Sequence, residues 1–470
     1  MRRTKLICTI GPASARRVDD LVAAGMDVAR LNFSHGTDGE HAAALADVRD
    51  AAERRERAVA VMADLPGPKI RLGQLADEEL ALPVGSELTL HPPGDGDGAD
   101  GSVAITYAGL AGDVEIGDPL MLADGAVELR VTATRDDVVA TEVIRGGSVR
   151  SGAGLNVPSQ RLSLPAVTDR DRAALDVMLD LGIDYVAQSF VRRAADLDQL
   201  RHLMGHRAVP IVAKIETRAA VDNLAEILAA ADAVMLARGD LGVELPFAEV
   251  PMLQKRVIEA CIAAGVPVIV ATQMLESMVS APRPTRAEAS DVANAVLDGA
   301  DAVMLSAETA VGGYPLEAAM AAVEICQRAE AEPVSGAGND RSAVIGPDGD
   351  AAAIAAAAVA LSRRSGAPPI RGIACFTRSG LTARLLAAQR PACPVTALSP
   401  DSAVVRQLAL VRGVMSVRAD TPHDTDAMLD LVDRSMRGRG LAAGSRIVIV
   451  ASIPFGQART NFLKLHRLVD

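Results

Sequence analysis

The chain has 470 residues, a formal net charge of −12, no Trp, six Phe and three Tyr. Such a length outgrows one hydrophobic core and points to two to four domains, while the acidic balance and the scarcity of rings argue against a nucleic-acid partner. No run of about 18 uncharged apolar residues occurs, and the start MRRTKLICTI lacks the apolar core of a signal peptide, so a cytoplasmic protein with no membrane partner is expected.

The five cysteines, Cys8, Cys261, Cys326, Cys375 and Cys393, form no CxxC pair, which disfavours a disulfide framework and a thiolate zinc site. Only five of the 48 basic residues are lysines: Lys5, Lys69, Lys214, Lys255 and Lys464. Where positive charge alone matters this chain writes arginine. A lysine inside a motif therefore marks a place where the wide guanidinium fork does not fit.

Taken in chain order, short Val- and Ile-rich runs alternate with helical patterns, the signature of a parallel βα architecture. They are LICTI from Leu6, DVARLNF from Asp27, AVAVMADL from Ala58, IDYVAQSF from Ile183, VPIVAKIE from Val209, ADAVMLARGD from Ala231, VPVIVATQ from Val266 and ADAVMLSAE from Ala300. Eight such strands close a (β/α)8 TIM barrel. The hexapeptide ADAVML, present at 231–236 and 300–305, fits two equivalent slots of one barrel.

Between Arg71 and Leu164 the helical pattern gives way to Val, Thr, Gly and Asp alternations, predicting a small β-barrel inserted after strand three. Within it, HPPGDGDGADGS at 91–102 reads as a hairpin loop; a calcium loop would end on Glu, and Ser102 stands there. After a Gly/Asp/Ser-rich stretch near 334–350, GIACFT, CPVTALS, GVMSVRA and RIVIVAS signal a separate three-layer α/β domain. The expected division is 1–71 and 165–335 for the barrel, 72–164 for the insert and 345–470 for the C-terminal domain.

In barrels of this kind chemistry sits where the strands end, and six of these ends are polar. Strand two exits through Arg30, Asn32, Ser34 and His35, strand three through Asp64, and strand five through Lys214 and Glu216. Strand six exits through Arg238 and Asp240, strand seven through Thr272 and Gln273, strand eight through Ser306 and Glu308. Glu216 and Asp240 offer hard oxygen ligands for Mg2+ or Mn2+, although Glu216 also shares a strand face with Lys214 and could simply pair with it. Lys214 beside a cation could polarise an enolate or hold a transferring phosphoryl group; a Schiff-base role is the alternative. Arg30 and Arg71, flanking Asp64, could clamp phosphate oxygens, and Thr272 offers a neutral donor. The segment 282–300 has the form of a lid or a helix start, with Thr285 to Glu288 matching a capping box.

Several longer stretches resemble the pyruvate kinase family: TIGPAS (9–14), MDVARLNFSHG (26–36), AKIE (213–216), ARGDLGVELP (237–246), ATQMLESM (271–278), RPTRAEASDVANAVLDGADAVMLSAETA (283–310) and YPLEA (314–318). The resemblance implies phosphoryl transfer from phosphoenolpyruvate to ADP, giving pyruvate and ATP. It implies that Lys214 stabilises the phosphoryl group and the enolate, that Glu216 and Asp240 hold the divalent metal, and that Arg30 contacts the phosphoryl group. The backbone at Ala237 and Gly239, with Thr272, would hold the substrate carboxylate next to Asp240. Ser306 and Glu308 would serve proton delivery, and Asn32, His35 and Arg71 the nucleotide.

In members that need potassium, Asn32, Ser34 and Asp64 correspond to its ligands, with threonine and glutamate at 65 and 69. Here Leu65 and Lys69 stand there, so the chain resembles the potassium-independent branch, its ammonium filling the ion's place. Two departures bear on the likeness: Ala153 replaces a lysine associated with nucleotide phosphates, leaving Arg150 or Arg161 as substitutes, and Ala307 replaces a glycine. The turn at 375–387, with Thr377, Ser379 and Thr382, resembles the family's effector loop for a sugar-phosphate or nucleotide, and the likeness also implies a homotetramer. Two other readings of the residues are a metal-dependent lyase or aldolase of pyruvate, and an idle phosphosugar-sensing paralogue.

Overall fold

The computed structural model describes residues 2–94, 101–157, 162–332, 349–364, 368–454 and 460–469. Strands β1 (Lys5–Thr9), β2 (Val28–Asn32) and β3 (Ala60–Asp64) open the chain. The insert follows with β4 (Ile70–Arg71), β5 (Glu79–Leu82), β6 (Glu87–His91), β7 (Ser102–Ala104), β8 (Pro119–Leu122), β9 (Val127–Arg135), β10 (Val138–Arg145), β11 (Gly147–Arg150) and β12 (Gly154–Asn156). Then come β13 (Tyr185–Gln188), β14 (Ile211–Ile215), β15 (Ala233–Ala237), β16 (Val268–Ala271) and β17 (Ala302–Leu305). The C-terminal domain holds β18 (Ile370–Phe376), β19 (Val395–Ser399), β20 (Val414–Arg418), β21 (Arg446–Ala451) and β22 (Phe462–Arg467).

β1, β2, β3 and β13 to β17 pair in parallel and close a barrel. Their runs are apolar on both faces because both faces are covered. Leu6 and Cys8 of β1 join the layer under the helices, whereas Ile7 joins Met62, Met235 and Met304 in the barrel interior. The two ADAVML copies supply β15 and β17, on either side of β16. Parallel register sets the polar strand ends at one height: Asn32 lies beside Asp64, and Asp64 beside Ala187.

The far end of the barrel is stoppered by the C-terminal domain. Ala409 and Leu410, in the short helical turn Leu408–Leu410, complete the interior core. Tyr185 Oη donates to the Gln407 carbonyl at 2.7 Å, and buried Asp184 is ion-paired with Arg49 (2.8 Å) and with Arg406 of the C-terminal domain (2.7 Å). This contact was invisible in the sequence.

The insert is a seven-stranded sheet, in the order β4-β12-β8-β9-β10-β6-β7, with the ribbon β11-β5. A single bridge between Leu72 and Ile105 joins its two edges into a small barrel around Leu88, Leu90, Leu120 and Leu129. The expectation of a hairpin at 91–102 is corrected: β6 and β7 run parallel, so this segment is a crossover, which its twelve residues are long enough to make. Residues 95–100 of that segment, like 333–348 of the Gly/Asp/Ser-rich stretch, lie outside the described residues. In the C-terminal domain β20, β19, β18 and β21 are parallel and β22 antiparallel, with apolar cores on both faces of the sheet. Segment 282–300 is a helix start: Thr285 and Glu288 form the capping box of helix Arg286–Asp298. No helix of the described residues is long and apolar enough to cross a membrane.

Candidate active site

The carboxyl end of β14 carries Lys214, whose buried ammonium is gripped from three sides. It lies 2.8 Å from Glu216 and 3.2 Å from Asp64, and donates to Ser189 Oγ at 2.7 Å. Arg30 meets Asp64 from β2 through Nε (2.8 Å) and Nη2 (2.7 Å), and its Nη1 donates to Thr9 Oγ1 at 3.1 Å. Asp64 is thus shared by two cations. Burial alone would raise its pKa, but Lys214 and then Arg30 outweigh it and hold the carboxyl below the usual range. The carboxylates in turn hold the Lys214 ammonium firmly protonated against the cost of burial. A low-pKa Schiff-base amine is the opposite state, which sets that alternative aside.

Ser189 was missed by sequence reasoning. It follows β13, and the polar pair Gln188–Ser189 at that strand's end is the same signal that exposed the other mouth residues. Its Oγ also donates to the Leu65 carbonyl at 2.8 Å, fixing the hydroxyl under Lys214.

Glu216 is 2% exposed and accepts from the Phe190 amide at 2.8 Å, with Phe190 held at φ 54°. Burial, and the like charge of Asp240, keep its carboxyl above the ordinary range in spite of the Lys214 ammonium. Glu216 and Asp240 are hard oxygen donors of the kind a divalent cation takes. Among the described residues no cluster of three or more His, Cys, Asp or Glu side chains is placed to hold a metal.

The raised Glu216 pKa makes a prediction with a definite sign. The folded state binds this proton more tightly than the unfolded chain, so Glu216 favours folding at low pH, and that contribution is lost as pH rises from the ordinary carboxyl value through the raised one. A metal needs the ionised form. Mg2+ affinity, measured by titration calorimetry, is therefore expected to rise with pH across that window; an affinity flat in pH contradicts the assignment.

Thr272 follows β16 at φ 68° and Gln273 at φ 54°, two successive left-handed residues that turn the chain sharply back over the mouth. Thr272 Oγ1 accepts from the Gly239 amide at 2.8 Å and donates to the Ala271 carbonyl at 2.6 Å. Arg238 braces the turn, donating to the Thr272 carbonyl at 2.9 Å while ion-paired with Asp291 at 2.7 Å. Ala237, Gly239, Asp240 and Thr272 are so brought together. Glu308 is fully buried, accepting from the amides of Leu275 (3.0 Å) and Ser306 (2.7 Å). Ala307 begins helix Ala307–Ala310 and is outside the left-handed region, so the replacement of glycine costs no backbone strain.

Two expectations are corrected. Lys69 does not meet Asp64: its ammonium lies 3.6 Å from Asp124 of the insert and 3.9 Å from Asp240, while Arg30 and Lys214 already take the Asp64 carboxylate. Arg71 does not flank Asp64. The segment LPGPK, with Gly67 at φ 69°, carries the chain away into β4, where Arg71 donates to the Gly152 carbonyl at 3.0 Å. At the assigned effector loop the helix Leu381–Ala388 is capped by Gly380 at φ 81°, with no side-chain hydrogen bond at the cap. Thr377 and Thr382 are buried, Thr382 bonding Thr460 Oγ1 at 2.7 Å, and Ser379 is exposed.

Asn32 Oδ1 accepts from the Ser34 amide at 3.2 Å, Leu65 is buried and His35 is exposed. Ala153 packs against the core of the insert, Arg150 is exposed, and Arg161 lies outside the described residues.

Comparisons with known proteins agree along the whole chain. The family model described as "Pyruvate kinase, barrel domain" matches residues 1–319, and "Pyruvate kinase, alpha/beta domain" matches 352–466. The pyruvate kinase of Mycobacterium intracellulare is 44% identical over 475 residues, covering 99% of this chain and 98% of its own length. That of Geobacillus stearothermophilus is 42% identical over 483 residues, covering 100% of this chain and 81% of its own. Among solved structures, a pyruvate kinase from Cryptosporidium parvum superposes with a TM-score of 0.91 at 33% identity, covering 100% of this chain and 96% of that one.

Proposed function

The chain belongs to the pyruvate kinase family and transfers the phosphoryl group of phosphoenolpyruvate to ADP, giving pyruvate and ATP; from that premise we propose which of its residues do so and how. The curated relatives favour this reading over the lyase and the idle sensor.

Divalent metal is a general requirement of the family, and Glu216 and Asp240 are the residues assigned to hold Mg2+ or Mn2+, which when bound adds positive charge beside the substrate oxygens. The observation that carries the rest is the Lys214 ammonium, fixed between two carboxylates and a hydroxyl at the barrel mouth. As the bond between phosphorus and the enol oxygen breaks and one to a terminal ADP oxygen forms, negative charge spreads over the phosphoryl oxygens and collects on the enolate. Lys214 and Arg30 meet that charge without reorganising, because Asp64 holds both in place beforehand. Thr272 and the amides at Ala237 and Gly239 orient the carboxylate. Ser306 and Glu308 are assigned to the network that supplies the methylene carbon with its proton. Asn32, His35 and Arg71 are assigned to the nucleotide, and the insert, closing over the mouth, excludes the water that would divert the phosphoryl group. The turn at Thr377, Ser379 and Thr382 is the assigned effector loop, and a homotetramer the assigned assembly.

Potassium is not required in this account. Leu65 offers no side-chain oxygen, Asp64 is already neutralised twice, and Lys69 brings a fixed positive charge to the mouth from the Asp240 side. Lys69→Glu is expected to lower kcat/KM about 10- to 100-fold in potassium-free buffer and to recover much of it with potassium. A variant indifferent to potassium, or a wild type that needs it, contradicts this role.

A further inference from the structure

The residues that follow β13 hold more than Lys214 and Glu216. Ser189 accepts from Lys214 and donates to the Leu65 carbonyl, and the Phe190 amide is bonded to Glu216. Leu65 opens the outgoing crossing, the segment that carries the chain from the barrel into the insert. Two residues after Phe190, Arg192 grips the returning crossing: its Nη2 donates to the Leu164 carbonyl at 2.6 Å and its Nη1 to the Leu162 carbonyl. One loop therefore seats Lys214, Glu216 and both connections of the insert.

A second link joins the same two crossings. On the return, Thr168 and Asp171 form the capping box of helix Asp169–Leu181, Thr168 donating to Asp171 Oδ2 through its amide (2.8 Å) and its hydroxyl (2.7 Å). A capping box asks no more of the carboxylate than that one oxygen. The other, Oδ1, accepts from the Gly67 amide of the outgoing crossing at 2.9 Å. Asp171 is accordingly buried, whereas Glu40, at the same position of the box begun by Thr37, is exposed. Gly67 lies so close on the loop that a Cβ there would come within 2.8 Å of Ser189 and 2.9 Å of Phe190. Beside these contacts a cleft with about 470 Å3 of empty space, open mouth included, is lined by Pro68, Ile70, Leu162, Leu164, Phe190 and Arg192. The crossings thus meet the barrel at a few directed bonds, with open space next to them.

Resting on phosphoryl transfer at this mouth as the reaction, we propose that Asp171 and Arg192 are positioning residues for it. They fix both crossings of the insert on the loop that holds Lys214 and Glu216, so that the cover over the mouth and the charges beneath it are set together. Water admitted under a loosely seated insert would take the place of ADP. Its oxygen bonds to phosphorus as the bond to the enol oxygen breaks; one of its protons stays on orthophosphate, and the other replaces the one that the enolate carbon takes up.

The test compares wild type, Asp171→Asn and Arg192→Lys with Asp424→Ala, which removes the cap of helix Thr425–Arg437 in the C-terminal domain, far along the chain from the insert. ATP, pyruvate and orthophosphate are counted from phosphoenolpyruvate, ADP and Mg2+, with folding checked by circular dichroism. An amide in place of the Asp171 carboxylate keeps its shape but cannot accept at both ends, and lysine at 192 loses the fork that spans two carbonyls. Both variants are expected to lower kcat about 10- to 100-fold and to release orthophosphate beside ATP. Asp424→Ala is expected to lower Tm while giving ATP alone. ATP as the sole product from either folded variant, or orthophosphate from Asp424→Ala as well, overturns the proposal; should one of the two variants not fold, the other decides. A wild type that makes no ATP would instead contradict the reaction itself.

Discussion

Lys214→Met is expected to lower kcat for phosphoryl transfer by about 10³-fold or more, the range associated with removing one preorganised cation or donor from a developing anion. The variant also leaves Asp64 and Glu216 facing each other with Arg30 as their nearest cation, so a stability loss of about 3–5 kcal/mol accompanies it where no metal is bound. Activity should therefore be read at a temperature and Mg2+ concentration where circular dichroism shows the variant folded. Lys214→Arg is not expected to rescue the rate. The slot is lined by Asp64, Glu216 and Ser189 within 3.2 Å of one nitrogen, a shape for a point charge and not for a planar fork. Arginine restoring near-wild-type kcat would mean that charge alone matters at this position.

Glu216→Gln separates a metal ligand from a structural partner of Lys214. Glu216 is buried and its ionised form is disfavoured by burial and by Asp240, so a neutral amide relieves a cost while Asp64 still pairs with Lys214. The metal-free variant should match or exceed the wild-type Tm. Its activity at about 1 mM Mg2+ should fall about 10²-fold or more, with part of the loss recovered at higher metal, because a ligand oxygen has lost its charge. If the carboxylate served only the ion pair, Tm would drop and the metal dependence would stay unchanged.

Much of this was readable from the chain because a (β/α)8 barrel writes itself in runs apolar on both faces, and because polar residues at strand ends are conspicuous against them. Arg30, Asp64, Lys214, Glu216, Asp240, Thr272, Ser306 and Glu308 were found by that rule, and Ser189 should have been. What escaped depends on pairings that no local pattern encodes. The parallel alignment of β6 and β7 rests on strand order within the insert, so a Gly/Asp-rich loop between two strands was taken for a hairpin. Arg71 and Lys69 lie on the segment that leaves the barrel, where Gly67 sets the direction; the family resemblance, not a local pattern, had put the Lys69 ammonium in the ion's place beside Asp64. The stopper formed by Ala409 and Leu410 consists of ordinary apolar residues whose partners lie more than 100 positions away.

The most direct test of the central claim, that this barrel mouth passes a phosphoryl group between substrates with water excluded, is to follow phosphoenolpyruvate, ADP and Mg2+ by phosphorus-31 and proton NMR with the wild-type chain in potassium-free buffer. The prediction is ATP and pyruvate appearing in equal amounts as phosphoenolpyruvate disappears, with no orthophosphate beyond the uncatalysed background. Orthophosphate in place of ATP, or no turnover with folded protein, would contradict it.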